Sequence, residues 1–220
     1  MEYYNHLYNA SDINMVLDSI NHVFDRYYKN MFSACHGRHH ALFVVEKTEY
    51  ILKALSYDDR TVELGKVAAL LHDIGMITGR WEHAKKSAAL AAIIFDGSEH
   101  LQSHEKEMLA NAICDHSSGE NITSVVGAAL IIADKTDYSK KRMLPIDVLD
   151  PFHESLFMID DIGLLVVDKT IEINFSITDG FDKEVFISGY AKAYNRIAKA
   201  VKYLGCVCKI KFNGDEERFV

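Results

Sequence analysis

The sequence predicts a mainly α-helical body over residues 1–150 followed by a small β-β-α-β element over residues 151–220. Three observations predict it. Apolar residues recur at helical spacing through the first part of the chain, between recognisable caps. The two prolines, Pro145 and Pro151, lie close together and mark a boundary. Beyond them the apolar pattern changes to strict alternation.

In the body, Ser11-Asp12 opens a helix carrying Ile13, Val16, Leu17, Ile20, Val23, Phe24 and Tyr27 on one face. A loop near Ser33 to Arg38 contains Gly37. A second helix starts around His39-His40, with Leu42, Val45, Ile51, Leu52 and Leu55 inward. Asp58-Asp59 caps a third, which runs to His72, and Gly75 to Gly79 is a turn. A fourth, Trp81 to Phe95, carries Ala84, Ala88, Ala91 and Ala92, small enough for close helix approach. Ser103 caps a fifth that ends near His116, where Ser117-Ser118-Gly119 breaks it, and a sixth covers Thr123 to Thr136. In the tail, Leu164 to Val167 is an apolar run. Ile171, Ile173, Phe175 and Ile177 alternate with polar residues as a half-buried strand, and Asp179-Gly180 turns. Val185 to Val201 is an amphipathic helix stopped by Gly205, and Cys206 to Phe212 is a last strand.

Bulk properties narrow the function classes. The chain has 220 residues, 49% of them hydrophobic, enough for a sizeable core. The net charge of -8 disfavours strong nucleic-acid binding. Met1-Glu2-Tyr3-Tyr4 does not read as a signal peptide, and Val125 to Ala133 is about half the length of a membrane span. Cys35, Cys114, Cys206 and Cys208 have no metal-knuckle spacing. These features suit reduced thiols, a cytoplasmic location and no membrane partner.

The chain is organised around Val67-Ala68-Ala69-Leu70-Leu71-His72-Asp73-Ile74-Gly75. A carboxylate in such an apolar stretch needs a cation or several hydrogen bonds. One reading is a helix C-terminus with Gly75 as its left-handed cap. The other makes His72 and Asp73 ligands of one metal centre. Adjacent helical residues do not share a face, but a carboxylate has two oxygens and can bridge two ions. Further ligands must then exist. His40, or His39, opens a helix; His83 opens another; His116 ends one beside Asp115; and Asp134 is an acid inside Leu130-Ile131-Ile132-Ala133. The plain alternatives are a capping-region histidine and a buried salt bridge. His6, His22, His36, His100, His104 and His153 sit in polar settings and read as solvent-facing or structural.

The order of these pieces resembles the HD-domain metal-dependent phosphohydrolase superfamily. The matching segments are His40-Ala41-Leu42-Phe43-Val44, Ala69 to Gly75, Glu82-His83-Ala84, Asp115-His116 and Ala133-Asp134-Lys135-Thr136-Asp137. The resemblance covers about Cys35 to Arg142 and implies an HD-domain helical bundle. It places one divalent ion on His40, His72, Asp73 and Asp134, and a second on His83 and His116 with Asp73 bridging. His40 is preferred to His39 because Val44 keeps the family's register. Mixed imidazole and carboxylate ligands suit Mn, Fe, Co, Ni, Mg or Zn. The implied reaction is hydrolysis of a phosphate ester or anhydride, of a nucleotide first, by metal-activated water. Asp73, Lys135 and Asp137 are the candidate catalytic residues, and Lys135 and Arg142 the candidate phosphate contacts. Asp137 orients water or a ligand, or else caps the next segment. Lys85, Lys86, Lys140 and Lys141 are basic neighbours with an ordinary surface alternative.

The chain departs from the family in two places. A single His116 and no Gly-Tyr-Pro weaken a cyclic-dinucleotide phosphodiesterase reading, and Met76 stands where many relatives have lysine. Competing expectations are a di-iron oxygenase-type HD protein and a metal-containing regulatory or binding module. The tail could complete the domain, cover the pocket or form a homodimer interface.

Overall fold

A computed structural model describes residues 34–96, 98–143 and 150–217. The helix expected from Ser11, with His6, His22 and Pro145, lies outside them.

Helix α1 (Arg38–Ala54) follows Gly37 and buries a stripe through His40, Ala41, Val44, Val45, Thr48, Ile51 and Leu52. Leu42, expected inward, is 43% exposed. It stands one residue, about 100° of helix, beyond that stripe. Helix α2 (Asp59–Leu71) starts where the Asp58 side chain accepts from the Thr61 N–H. Its last nine residues but one are buried, Lys66 included, because α1, α4 and α5 surround it. A 3-10 helix, Ile74–Thr78, replaces the expected turn. Helix α3 (His83–Asp96) begins two residues later than expected, leaving Trp81 exposed. Helix α4 (Ser103–Asp115) is capped by Gln102 rather than Ser103: the Gln102 N–H donates to Glu105, closing a capping box. Helix α5 (Val125–Asp134), capped by Ser124, is buried from Val126 to Asp134 and is the centre of the body.

Gly75 is not a left-handed cap. It lies inside the 3-10 helix, and a Cβ there would collide with the His83 carbonyl and stand 2.5 Å from the Ser87 nitrogen. The absent side chain lets α3 lie directly on the segment that follows Asp73, and the Gly75 N–H donates to Ser87 Oγ at 2.9 Å.

The tail opens with a short helix α6 (Pro151–Leu156), Pro151 in its first turn and Asp150 as its cap. Strands β1 (Ile159–Val167) and β2 (Thr170–Ile177) pair antiparallel. Helix α7 (Lys183–Tyr203) crosses over to β3 (Val207–Phe212), parallel to β2. A further strand, β4 (Asp215–Glu217), pairs antiparallel with β3, so the strand expected to be last is not. The sheet order is β1-β2-β3-β4. Helix α7 packs on both α5 and the sheet, with Phe186 and Tyr190 meeting Phe175 at 5.0 and 5.5 Å between ring centres. The protein is thus mainly α with a small C-terminal sheet, as the sequence predicts. Among the described residues no helix is long and apolar enough to cross a membrane.

Candidate metal centre

Five helix ends bring six side chains together. His40 is in the first turn of α1, His83 begins α3, and Asp134 ends α5. His72 and His116 are the C-cap residues of α2 and α4. Asp73 has already left the helix, with φ -112° and ψ 9°. The two neighbours can therefore aim at one centre, which a continuing helix would forbid.

The hydrogen bonds fix which ring nitrogens face inward. His72 Nδ1 donates to the Ala69 carbonyl at 2.7 Å, His116 Nδ1 to Ile113 at 2.6 Å and His83 Nδ1 to Arg80 at 3.1 Å. His40 Nδ1 donates to the Asp137 carboxylate at 2.7 Å. A carbonyl only accepts, so the proton is on Nδ1 and Nε2 is left as a donor atom for a cation.

Those Nε2 atoms form two groups around Asp73. On one side His40 and His72 Nε2 stand 3.2 Å apart, with Asp134 Oδ1 at 3.2 and 3.8 Å and Asp73 Oδ2 at 3.6 and 3.3 Å. On the other, His83 and His116 Nε2 stand 3.3 Å apart, and each is 3.4 Å from Asp73 Oδ1. Donors bound about 2.1 Å from one ion stand roughly 3.0–3.4 Å apart at octahedral to tetrahedral angles. Asp73 Oδ1 is buried without a hydrogen-bond partner. Paired lone pairs and an orphaned carboxylate oxygen fit a cation on each side, with Asp73 between them.

The electrostatics point the same way. Burial opposes ionisation of Asp73 and Asp134, yet His72 and His36 beside the first and Lys135 beside the second hold both carboxyls well below the usual range. Burial pulls His72 down, but Asp73 and Asp134 outweigh it and its pKa is raised. Burial dominates at His116 and lowers it.

The remaining expected residues divide. Asp137 accepts from His40 and so orients a ring of the cluster; burial is outweighed by His40 and Arg142, and its pKa is lowered. Lys135 Nζ lies 2.5 Å from Asp134 Oδ2. Arg142 donates to the Cys35 and Asp137 carbonyls at 2.9 and 3.0 Å, which commits most of its guanidinium to the scaffold. Lys85 pairs with Glu82, Lys140 with Asp160 and Lys141 with Asp161. His39, His100 and His104 are exposed, and His153 bonds Asp150. Met76 is fully buried in the core, pointing nowhere near solvent.

His36, expected to be solvent-facing or structural, belongs to the site. Its Nδ1 lies 2.7 Å from Asp73 Oδ2 and 3.1 Å from Arg142 Nη2. One nitrogen cannot both donate and accept; the shorter contact is the donation to Asp73. Burial, with Arg142 adding to it and Asp73 opposing, lowers the ring to about 3. The sequence signal was its place one turn before His40, beside Gly37. A cavity of about 950 Å³ opens onto Asp73, His83 and His116 and also reaches Lys135, Trp81 and Arg196.

Comparison with known proteins identifies the family. The HD domain family model matches residues 37–149, just over half of the chain. The fold is similar to the crystal structure of a predicted HD superfamily hydrolase from an uncultured Thermotogales bacterium. That likeness has 22% identity and a TM-score of 0.49, over 63% of this chain and 73% of that one. No curated protein matches. The chain belongs to the HD-domain family, a family of metal-dependent hydrolases.

Proposed function

We propose that this protein is a phosphohydrolase that cleaves a phosphate ester or anhydride, of a nucleotide first, at a centre for two divalent ions. The observation that carries the reading is Asp73, whose two oxygens each face a pair of imidazole Nε2 atoms. Divalent ions held there supply Lewis acidity that activates water and neutralises phosphate oxygens.

The chain's own groups do the rest. His36 and Asp137 hold Asp73 and His40 in orientation. Lys135 uses one N–H on Asp134 and has two more for phosphate oxygens. A cavity of about 950 Å³ suits a substrate larger than a bare phosphate. Trp81, Tyr138 and Phe152 on its wall offer apolar faces to a nucleobase.

The test joins metal analysis of the purified protein to a panel of nucleoside mono-, di- and triphosphates and simple phosphate esters, with Mn and other divalent ions. Turnover that a chelator abolishes and metal restores is expected, with Asp73→Ala losing metal and activity together. A folded, metal-loaded protein that hydrolyses none of these overturns the reading, as does a fully active, metal-free Asp73→Ala variant.

A further inference from the structure

The tail contributes a cation to the cavity. Arg196 of α7 lines the same space as Asp73, His83 and His116. Packing around α7 fixes its place. Tyr190 OH donates to the Lys135 carbonyl at 2.7 Å, tying α7 to the residue after Asp134. Ala193 and Ile197 on either side of Arg196 are buried. Gly119, at φ +62°, lies against the arginine stem: a Cβ there would stand 3.2 and 3.3 Å from Arg196 Cγ and Cβ. The segment just after His116 therefore runs along this side chain.

The guanidinium makes no hydrogen bond or ion pair among the described residues. Four other cations on the cavity wall are engaged: Lys85 with Glu82, Lys135 with Asp134, Arg142 with two carbonyls, and Arg80 with a partner of its own. A planar guanidinium without an acid, in a chain with 32 acidic and 24 basic residues, is a ready bidentate site for phosphate. Lys135 sits at the cluster itself, whereas Arg196 contacts neither Asp73 nor Asp134, and the cavity has room for more than one phosphate.

We infer that Arg196 anchors a second phosphate of the substrate, distinct from the one hydrolysed. This rests on the phosphohydrolase reading and extends it to substrates such as nucleoside diphosphates. Arg196 acts on binding and not on the reacting atoms. Arg196→Ala should therefore raise KM for a nucleoside diphosphate about 10–100-fold and leave kcat within about twofold. KM for the monophosphate should change less than about threefold, and Arg196→Lys should restore part of the loss. A turnover-independent measurement accompanies this: calorimetric titration of the metal-loaded protein with α,β-methylene adenosine diphosphate. The wild type should bind it at least about tenfold more tightly than Arg196→Ala, with unchanged thermal stability. Equal binding by the two proteins, no binding by the wild type, or equal losses for mono- and diphosphate would overturn the inference. A calorimetric difference without any turnover would instead sink the phosphohydrolase reading and leave Arg196 as a phosphate site.

Discussion

Asp137 is where a single atom matters most to the cluster without touching an ion. Its carboxylate fixes the His40 ring from behind. Asp137→Asn keeps the shape but weakens the acceptor, and metal affinity should fall about 10–100-fold in a competition titration while the fold persists. Unchanged affinity would remove the orienting role. His36 gives a pH signature in the metal-free protein. Its folded pKa, about 3, lies below the ordinary 6.5, so the unfolded chain binds more protons between those values. Stability should then drop as pH falls from about 6.5 toward 3. His116, also lowered, adds to this slope. His72, raised, does not: its contribution is full below 6.5 and is lost only above. Asp73 and Asp134 add theirs lower, as pH falls below 3.8. Urea unfolding from pH 6.5 to 4.5 should therefore be steeper for the wild type than for His36→Gln, and equal slopes would contradict a buried, uncharged ring.

At the scale of elements, the cluster depends on how helices end and how closely two of them approach. His72 and Asp73 look badly placed on a continuous helix; they work because α2 stops between them. Gly75 then lets α3 sit against the following turn, which is what carries His83 to Asp73. Gly75→Ala must push α3 away from the turn, at about 1–3 kcal/mol. On the proposed two-ion reading, the ion on the His83 and His116 side should be lost before the one on His40, His72 and Asp134. Metal stoichiometry together with a denaturation curve checks both, and a stable variant with full metal content would show the approach to be slack. Much of this was legible in the sequence, because caps and helical periods mark the ends at which His40, His83, His116 and Asp134 sit. The role of Gly75 was not, since close approach and a left-handed cap ask for the same residue. His36 was hidden for another reason: it is held by Asp73, 37 positions on, and lies beside Arg142, over a hundred positions away, where a pairing of residues 34 and 143 that no local pattern announces brings the two segments together. Strand β4, a short acidic Asp-Glu-Glu, has no alternation to read.

For the whole molecule, the question is whether the body and the tail are separate units, as the change of pattern at Pro151 suggests. The burial of α5 argues that they are coupled. It is apolar all round, and α7 covers one of its faces. A helix of that kind cannot be left facing water. Tyr190 makes the junction specific, filling the space between Phe175, Phe186 and α5 while its hydroxyl satisfies the Lys135 carbonyl. Tyr190→Phe removes only the hydrogen bond and should cost about 0.5–1.5 kcal/mol. Tyr190→Ala empties the space as well and should cost about 3–5 kcal/mol. Because Lys135 follows Asp134, the larger loss should also weaken metal binding in the body, although the substitution lies in the tail. A single unfolding transition that shifts as a whole in both variants would establish the coupling. Two transitions, with only that of the tail moved by Tyr190→Ala, would establish instead that the sequence boundary is a physical one.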